Sequence, residues 1–114
     1  MAKILMVDDD VHFAKVIARC LSQEGHTVQT AADGAQALRL IREFSPDLLV
    51  LDVALPLVTG VQLGAQTHLP ILFLSGRDLE RVEHLNRPNV RFLKKPADLD
   101  EIMQETRTLL AQNL

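Results

Sequence analysis

The 114-residue chain has one cysteine, Cys20, so no internal disulfide can form. Cys20 falls on the apolar side of an expected helix, which suits core filling better than redox chemistry. An excess of basic charge is also missing: 12 Lys and Arg against 15 Asp and Glu give a net charge of −3. A chain of that sign lacks the electrostatic footprint of direct nucleic-acid binding. No apolar run approaches the ~20 residues of a membrane span. The region after Met1 has neither the basic start nor the cleavage site of a secretory signal. These absences read as a cytoplasmic chain with no membrane association. Linkers, internal repeats and low-complexity stretches are lacking too, so residues 1–114 read as a single domain. The 4 histidines, His12, His26, His68 and His84, stand at no metal-ligand spacing, and surface or loop roles suit them.

What is present is an alternation of short apolar runs and helical stripes. Hydrophobic content is 47% and charged content 24%, ordinary for a globular domain. Ile4-Leu5-Met6-Val7 and Leu48-Leu49-Val50-Leu51 are uninterrupted apolar runs, the signature of strands buried on both faces. Thr27-Val28-Gln29-Thr30 alternates, so it reads as a less buried edge strand. Ile71-Leu72-Phe73-Leu74 and Val90-Arg91-Phe92-Leu93 supply the fourth and fifth strands. Between them run helical patterns. Phe13, Val16, Ile17, Cys20 and Leu21 share one face, with Gly25 at a left-handed stop. Asp33 caps a second helix, with Gln36 placed to reach back and Ala37, Leu38 and Ile41 as its stripe. Residues 60–66 and 79–85 suggest two short helices. Asp98 and Glu101 form a capping box for a last helix, whose apolar face is Leu99, Ile102, Met103, Thr106 and Leu110. Such alternation implies an α/β fold with a parallel sheet, right-handed crossovers and helices on both faces.

Charge collects where the strands end. Asp8 and Asp9 follow the first strand, Asp52 ends the third, Ser75 ends the fourth, and Lys95 follows the fifth. Pro56 takes the chain out of the sheet soon after Asp52. In open parallel sheets the carboxyl edge is where ligands bind. Clustered carboxylates repel one another unless a cation sits among them. Oxygen donors without His or Cys suit Mg²⁺, which accepts one or two carboxylates together with phosphate oxygens. Lysine is a point-charge phosphate binder. An aspartate can act as a nucleophile and form an aspartyl phosphate, while a cation and a lysine offset charge on the transferring group. Asp10 has two readings, a third metal ligand or the cap of the first helix, and the cap is favoured.

At these positions the sequence resembles the receiver domain of bacterial two-component response regulators. The likeness runs from Lys3 to about Leu110. It rests on Val7-Asp8-Asp9, Leu51-Asp52 with Leu55-Pro56 and Gly60, Leu74-Ser75-Gly76, and Lys95-Pro96. The resemblance implies a doubly wound, flavodoxin-like sheet with strand order 2-1-3-4-5. It also implies that Asp52 accepts a phosphoryl group from a phosphohistidine on a sensor histidine kinase or phosphotransfer protein. Asp9 would be the principal Mg²⁺ ligand, Asp8 would act largely through water, and the Ala54 carbonyl would complete the set with Asp52. Lys95 would pair with the phosphoryl group. Ser75 would swing onto its oxygens, and Phe92 stands at the family's switch aromatic position. Such a domain is not an enzyme on other molecules. It catalyses only its own phosphorylation and dephosphorylation, and it switches a surface for an output protein or for phosphorylation-linked self-association.

The sequence departs from the family in places. The helices expected at 60–66 and 79–85 are short, Ala97 replaces a common Phe, and Phe92 lacks the Tyr hydroxyl. Arg77 and Ala54 stand where the family tunes dephosphorylation. The alternative reading is a pseudo-receiver, a protein-interaction module that does not use phosphorylation. An aspartyl-phosphate hydrolase would want a second Asp at position 54, which is Ala54 here. A flavin-binding domain would want hydroxyls, not acids, after the first strand.

Overall fold

A computed structural model describes residues 2–52, 67–75, 88–94 and 98–112. The expected short helices at 60–66 and 79–85 lie outside the described residues. Five strands, β1 (Lys3–Val7), β2 (Thr27–Ala31), β3 (Leu48–Asp52), β4 (Ile71–Ser75) and β5 (Val90–Lys94), form one sheet in the order β2-β1-β3-β4-β5. Every pairing is parallel. The described helices are α1 (Val11–Gln23), α2 (Gly34–Phe44) and α3 (Leu99–Gln112). This is the doubly wound arrangement that the apolar runs and the family likeness predict.

Strand periodicity divides the core into two layers. Leu5, Val7, Leu49, Leu51, Ile71 and Phe73 face Ala37, Leu38 and Ile41 of α2. Ile4, Met6, Leu48, Val50, Leu72 and Leu74 face α1 and α3 through Ala14, Ile17, Leu21, Ile102, Met103 and Leu109. Because β1, β3 and β4 are covered on both sides, their apolar runs are unbroken, as parallel strands require. β2 is an edge strand whose middle is largely exposed, which explains its alternating sequence.

The helix stops and starts are written locally. Asp10 caps α1, its side chain accepting from Phe13 N at 3.1 Å. At the other end, Gly25 takes φ 98°, a left-handed value that costs a residue without Cβ little. It donates to the Ser22 carbonyl at 3.0 Å, and His26 N reaches the Leu21 carbonyl at 3.4 Å. That pair of bonds is a Schellman stop. Asp33 caps α2 by accepting from Gln36 N at 2.8 Å. Gln36 reaches back to Ala32 N at 2.9 Å, one residue beyond the cap. α2 ends at Ser45, which adopts a left-handed φ of 53° just ahead of Pro46. In α3 the Glu101 carboxylate accepts from Asp98 N at 3.4 Å, as a capping box predicts.

Two expected stripes shift in phase. Val16 is 48% exposed and Leu99 38% exposed, so neither belongs to the core. Ala14 is buried in α1, and Leu109 is the fully buried residue near the end of α3, with Leu110 only half-buried. Cys20 is partly buried against the α1 layer, in keeping with a filler role. Among the described residues, no helix is long and apolar enough to cross a membrane.

Candidate functional site

β1 and β3 are neighbours, and their register sets Val7 beside Leu51. One residue further along each strand stand Asp8 and Asp52, at the same edge and level. Carboxylate oxygens of Asp8, Asp9 and Asp52 all lie within 4.8 Å of one another. Asp8 is 1% exposed and Asp52 9% exposed, while Asp9 faces solvent. The cluster is therefore anchored by two buried carboxylates and opens to water through a third.

Asp8 is held from several sides. Its backbone N donates to the Ala31 carbonyl at 3.1 Å, extending the β1–β2 ladder past the end of β1. Its Oδ1 accepts from Asp10 N at 2.9 Å. A carboxylate that accepts from the amide two residues on is an Asx turn, and here it leads straight into the α1 cap. Asp10 thus serves as the helix cap. Its amide also orients Asp8, a positioning role that the Asp-x-Asp spacing signals but that the sequence reading did not assign. On the other flank, Asp52 pairs in register with Leu74 of β4.

The donor set fits Mg²⁺. It is all oxygen, with no His or Cys in the cluster among the described residues. Opposite ligands of one Mg²⁺ at 2.0–2.1 Å each stand ~4 Å apart, so a cluster spread over 4.8 Å suits an ion that keeps waters between itself and some of its carboxylates. His26 instead accepts from Ala2 N at 3.2 Å, far from the acids in the fold, and His68 is exposed.

The remaining expected site residues divide. The Ser75 backbone lies level with Lys94 at the end of β4. The Ser75 side chain, Ala54 and Lys95 lie outside the described residues, as do Arg77 and Ala97. Lys94 is exposed and shares strand parity with Val90 and Phe92, which pack into the α2 layer. Asp52 has the parity of Leu48 and Val50, on the α1 and α3 side. Lys94 therefore projects from the opposite face to Asp52. Phe92 is partly buried, and its ring stacks on that of Phe73 with centroids 5.6 Å apart and planes 10° from parallel.

Fold and acids together define a class: a doubly wound α/β domain with an oxygen-donor metal site at the carboxyl edge of its central strands. The sequence model of the response regulator receiver domain matches residues 4–107, and the chain belongs to that family. It is 41% identical over 115 residues to the response regulator MprA of Mycobacterium ulcerans, covering 95% of this chain and 50% of that protein. This chain thus spans about half the length of the curated relatives it matches. Among solved structures, the receiver domain of the Francisella response regulator 1452 matches with a TM-score of 0.89 at 28% identity, with both chains covered in full. The receiver domain of NtrX from Brucella abortus matches with a TM-score of 0.83 at 32% identity, covering 95% of this chain and 98% of that one. The acidic cluster is the Mg²⁺ site of this family, and the chain is a phosphorylation-based signalling domain and not a pseudo-receiver.

Proposed function

We propose that Asp52 is the phosphoacceptor and that residues 1–114 act as one cytoplasmic receiver unit. The observation that carries this reading is the placement of Asp52. Its carboxylate ends a fully buried strand, is 9% exposed, and lies within 4.8 Å of carboxylate oxygens of Asp8 and Asp9. An Asp52 oxygen attacks phosphorus of a phosphohistidine on a sensor histidine kinase or phosphotransfer protein. A phosphorus–oxygen bond forms, the phosphorus–nitrogen bond breaks, and the imidazole nitrogen leaves with the electron pair and takes up a proton. Asp8 and Asp9, with Asp52 and the Ala54 carbonyl, would hold the metal. When bound, Mg²⁺ offsets negative charge on the attacking carboxylate and on the transferring phosphoryl group.

Lys95 pairs with the phosphoryl group from the end of β5, and Ser75 contacts its oxygens from the end of β4. Support comes from Lys94, which projects to the face opposite Asp52 and is therefore poorly placed for that role itself. The phosphorylated form is read by an output protein, or by a second copy of the chain, through a changed surface.

Labelling with acetyl phosphate in Mg²⁺ tests the assignment. Wild type should take up one phosphoryl group, and Asp52→Asn should take up none while unfolding at the same or a higher denaturant concentration. Full labelling of a folded Asp52→Asn protein would move the acceptor elsewhere, to Asp9 first.

A further inference from the structure

Asp8 brings its carboxylate to the metal cluster from the end of β1, where the sheet gives it one closing rung toward β2. That rung is the bond from Asp8 N to the Ala31 carbonyl, 3.1 Å long. β2 stops at Ala31, and Ala32 and Asp33 alone join it to α2. The peptide group between Ala31 and Ala32 is one planar unit, with the Ala31 C=O at one end and the Ala32 N–H at the other. Both ends are bonded. The carbonyl accepts from Asp8 N, and the Ala32 N–H donates to Gln36 Oε1 at 2.9 Å. Gln36 is held in turn at its own backbone, where its N donates to Asp33 Oδ1 at 2.8 Å.

An ordinary capping box would send the side chain of residue 36 to the amide of the cap, Asp33. Here it takes the amide one peptide earlier, and the carbonyl of that same peptide grips Asp8. A planar peptide bonded at both ends cannot tilt without straining one bond, and donation from its N–H polarises its carbonyl as an acceptor. The Asp8 side chain is held from the other flank, where Oδ1 accepts from Asp10 N at 2.9 Å. Asp8 is thus fastened to the entries of both α1 and α2. We infer that Gln36, an exposed residue outside the acid cluster, is a positioning residue for the metal site. Through the Ala31–Ala32 peptide it fixes where β1 delivers Asp8, and a glutamine oxygen does so without adding an anion at the carboxyl edge. The inference rests on the Mg²⁺ site of Asp8, Asp9 and Asp52, and it holds whichever acid takes the phosphoryl group.

Hydrogen exchange and Mg²⁺ titration, both read from amide spectra of the protein, test it. Gln36→Met keeps the length and helix propensity of the side chain but offers no oxygen. In the metal-free variant, the Asp8 amide should lose protection relative to that of Met6 by about threefold, the size of a modest intramolecular hydrogen bond. Mg²⁺ affinity should fall by a similar factor, less than the roughly 10- to 100-fold loss typical of groups that bond a metal ligand's side chain directly. Gln36→Glu puts an oxygen back and should return Asp8 protection to the wild-type ratio. Asp33→Ala removes the cap of α2 but leaves Gln36 its oxygen, so it should lower the urea midpoint without changing that ratio. An unchanged ratio, or an unchanged Mg²⁺ affinity, in Gln36→Met overturns the inference. So does an equal fall of the ratio in Asp33→Ala, which would make the effect helix capping alone, and so does a Gln36→Glu variant that fails to restore it. Wild-type amides at the acids that ignore Mg²⁺ would remove the metal site itself and the inference with it, a failure told apart because it does not depend on residue 36.

Discussion

Replacing Asp10 by alanine separates the two roles that an acid in this position can hold. The Asp10 side chain accepts from Phe13 N at 3.1 Å, satisfying one of the amides that the first turn of α1 leaves without a helical partner. Loss of such a cap costs ~1 kcal/mol, within a range of about 0.5–2. For a domain with a urea m-value of ~2 kcal/mol/M, the unfolding midpoint should fall by ~0.5 M. The bond from Asp10 N to Asp8 Oδ1, 2.9 Å long, is made by the backbone, so it survives the substitution. Mg²⁺ affinity should therefore change by much less than the tenfold that ~1.4 kcal/mol represents. Asp10→Asn keeps a good capping residue and removes the charge, so it should unfold close to wild type. Urea unfolding followed by circular dichroism, with Mg²⁺ titration of the folded proteins, reads both quantities. An unmoved midpoint together with a tenfold or greater loss of Mg²⁺ affinity in Asp10→Ala would refute the cap and make Asp10 a metal ligand.

Titrating Mg²⁺ should shift the amides of Asp8, Asp9 and Asp52 with an apparent dissociation constant in the high-micromolar to millimolar range, and Asp9→Ala should weaken it. No shift at those amides up to tens of millimolar would remove the metal from the site. Lys95→Met should cripple the change induced by phosphorylation while Lys94→Met should not, as read from amide spectra with beryllofluoride; equal effects would mean a strand register wrong by one residue. Ile17→Ala should cost about 2–5 kcal/mol of stability, since Ile17 is fully buried. Val16→Ala should stay within about 0.5 kcal/mol, since Val16 is 48% exposed. Urea midpoints for that pair check the phase of α1.

The acids of the site were readable because of where parallel strands put things. A strand covered on both faces appears as an unbroken apolar run, and an acid at the end of Leu48-Leu49-Val50-Leu51 marks the carboxyl edge without further information. The caps were readable for a similar reason, since Asp10, Asp33 and Asp98 bond amides within a few residues of themselves. Strand neighbours were not readable from periodicity, and the order had to come from family likeness. Helix phase was only partly readable. Ala14 is buried but small, so it gives little signal in an apolar stripe, while Val16 is apolar and yet faces water. Leu99 opens α3, where the expected stripe begins ahead of the buried positions that start at Ile102. The Arg91–Glu105 and Arg107–Glu24 pairs join residues on different elements, and no local pattern announces them.

The distribution of buried polar groups bears on why the acids gather at all. Among the described residues, three polar or charged residues are buried: Asp8, Asp52 and Thr106. Thr106 serves the fold alone, its hydroxyl donating to the Ile102 carbonyl one helical turn back at 2.8 Å. The two carboxylates are different. Burying a carboxylate is costly unless charge or hydrogen bonds offset it, and placing two of them together adds repulsion. For Asp8 the Asp10 amide offsets part of that cost, and apolar residues at both positions would continue the runs that end at Val7 and Leu51. The exposed Asp9 completes the geometry, because it joins the buried pair to solvent, from which a hydrated cation and a phosphodonor must both arrive. Two buried carboxylates with an open acidic rim add little to a sheet edge and suit the binding of Mg²⁺ there. That contrast is the physical reason for assigning the carboxyl edge of β1 and β3 to phosphoryl chemistry.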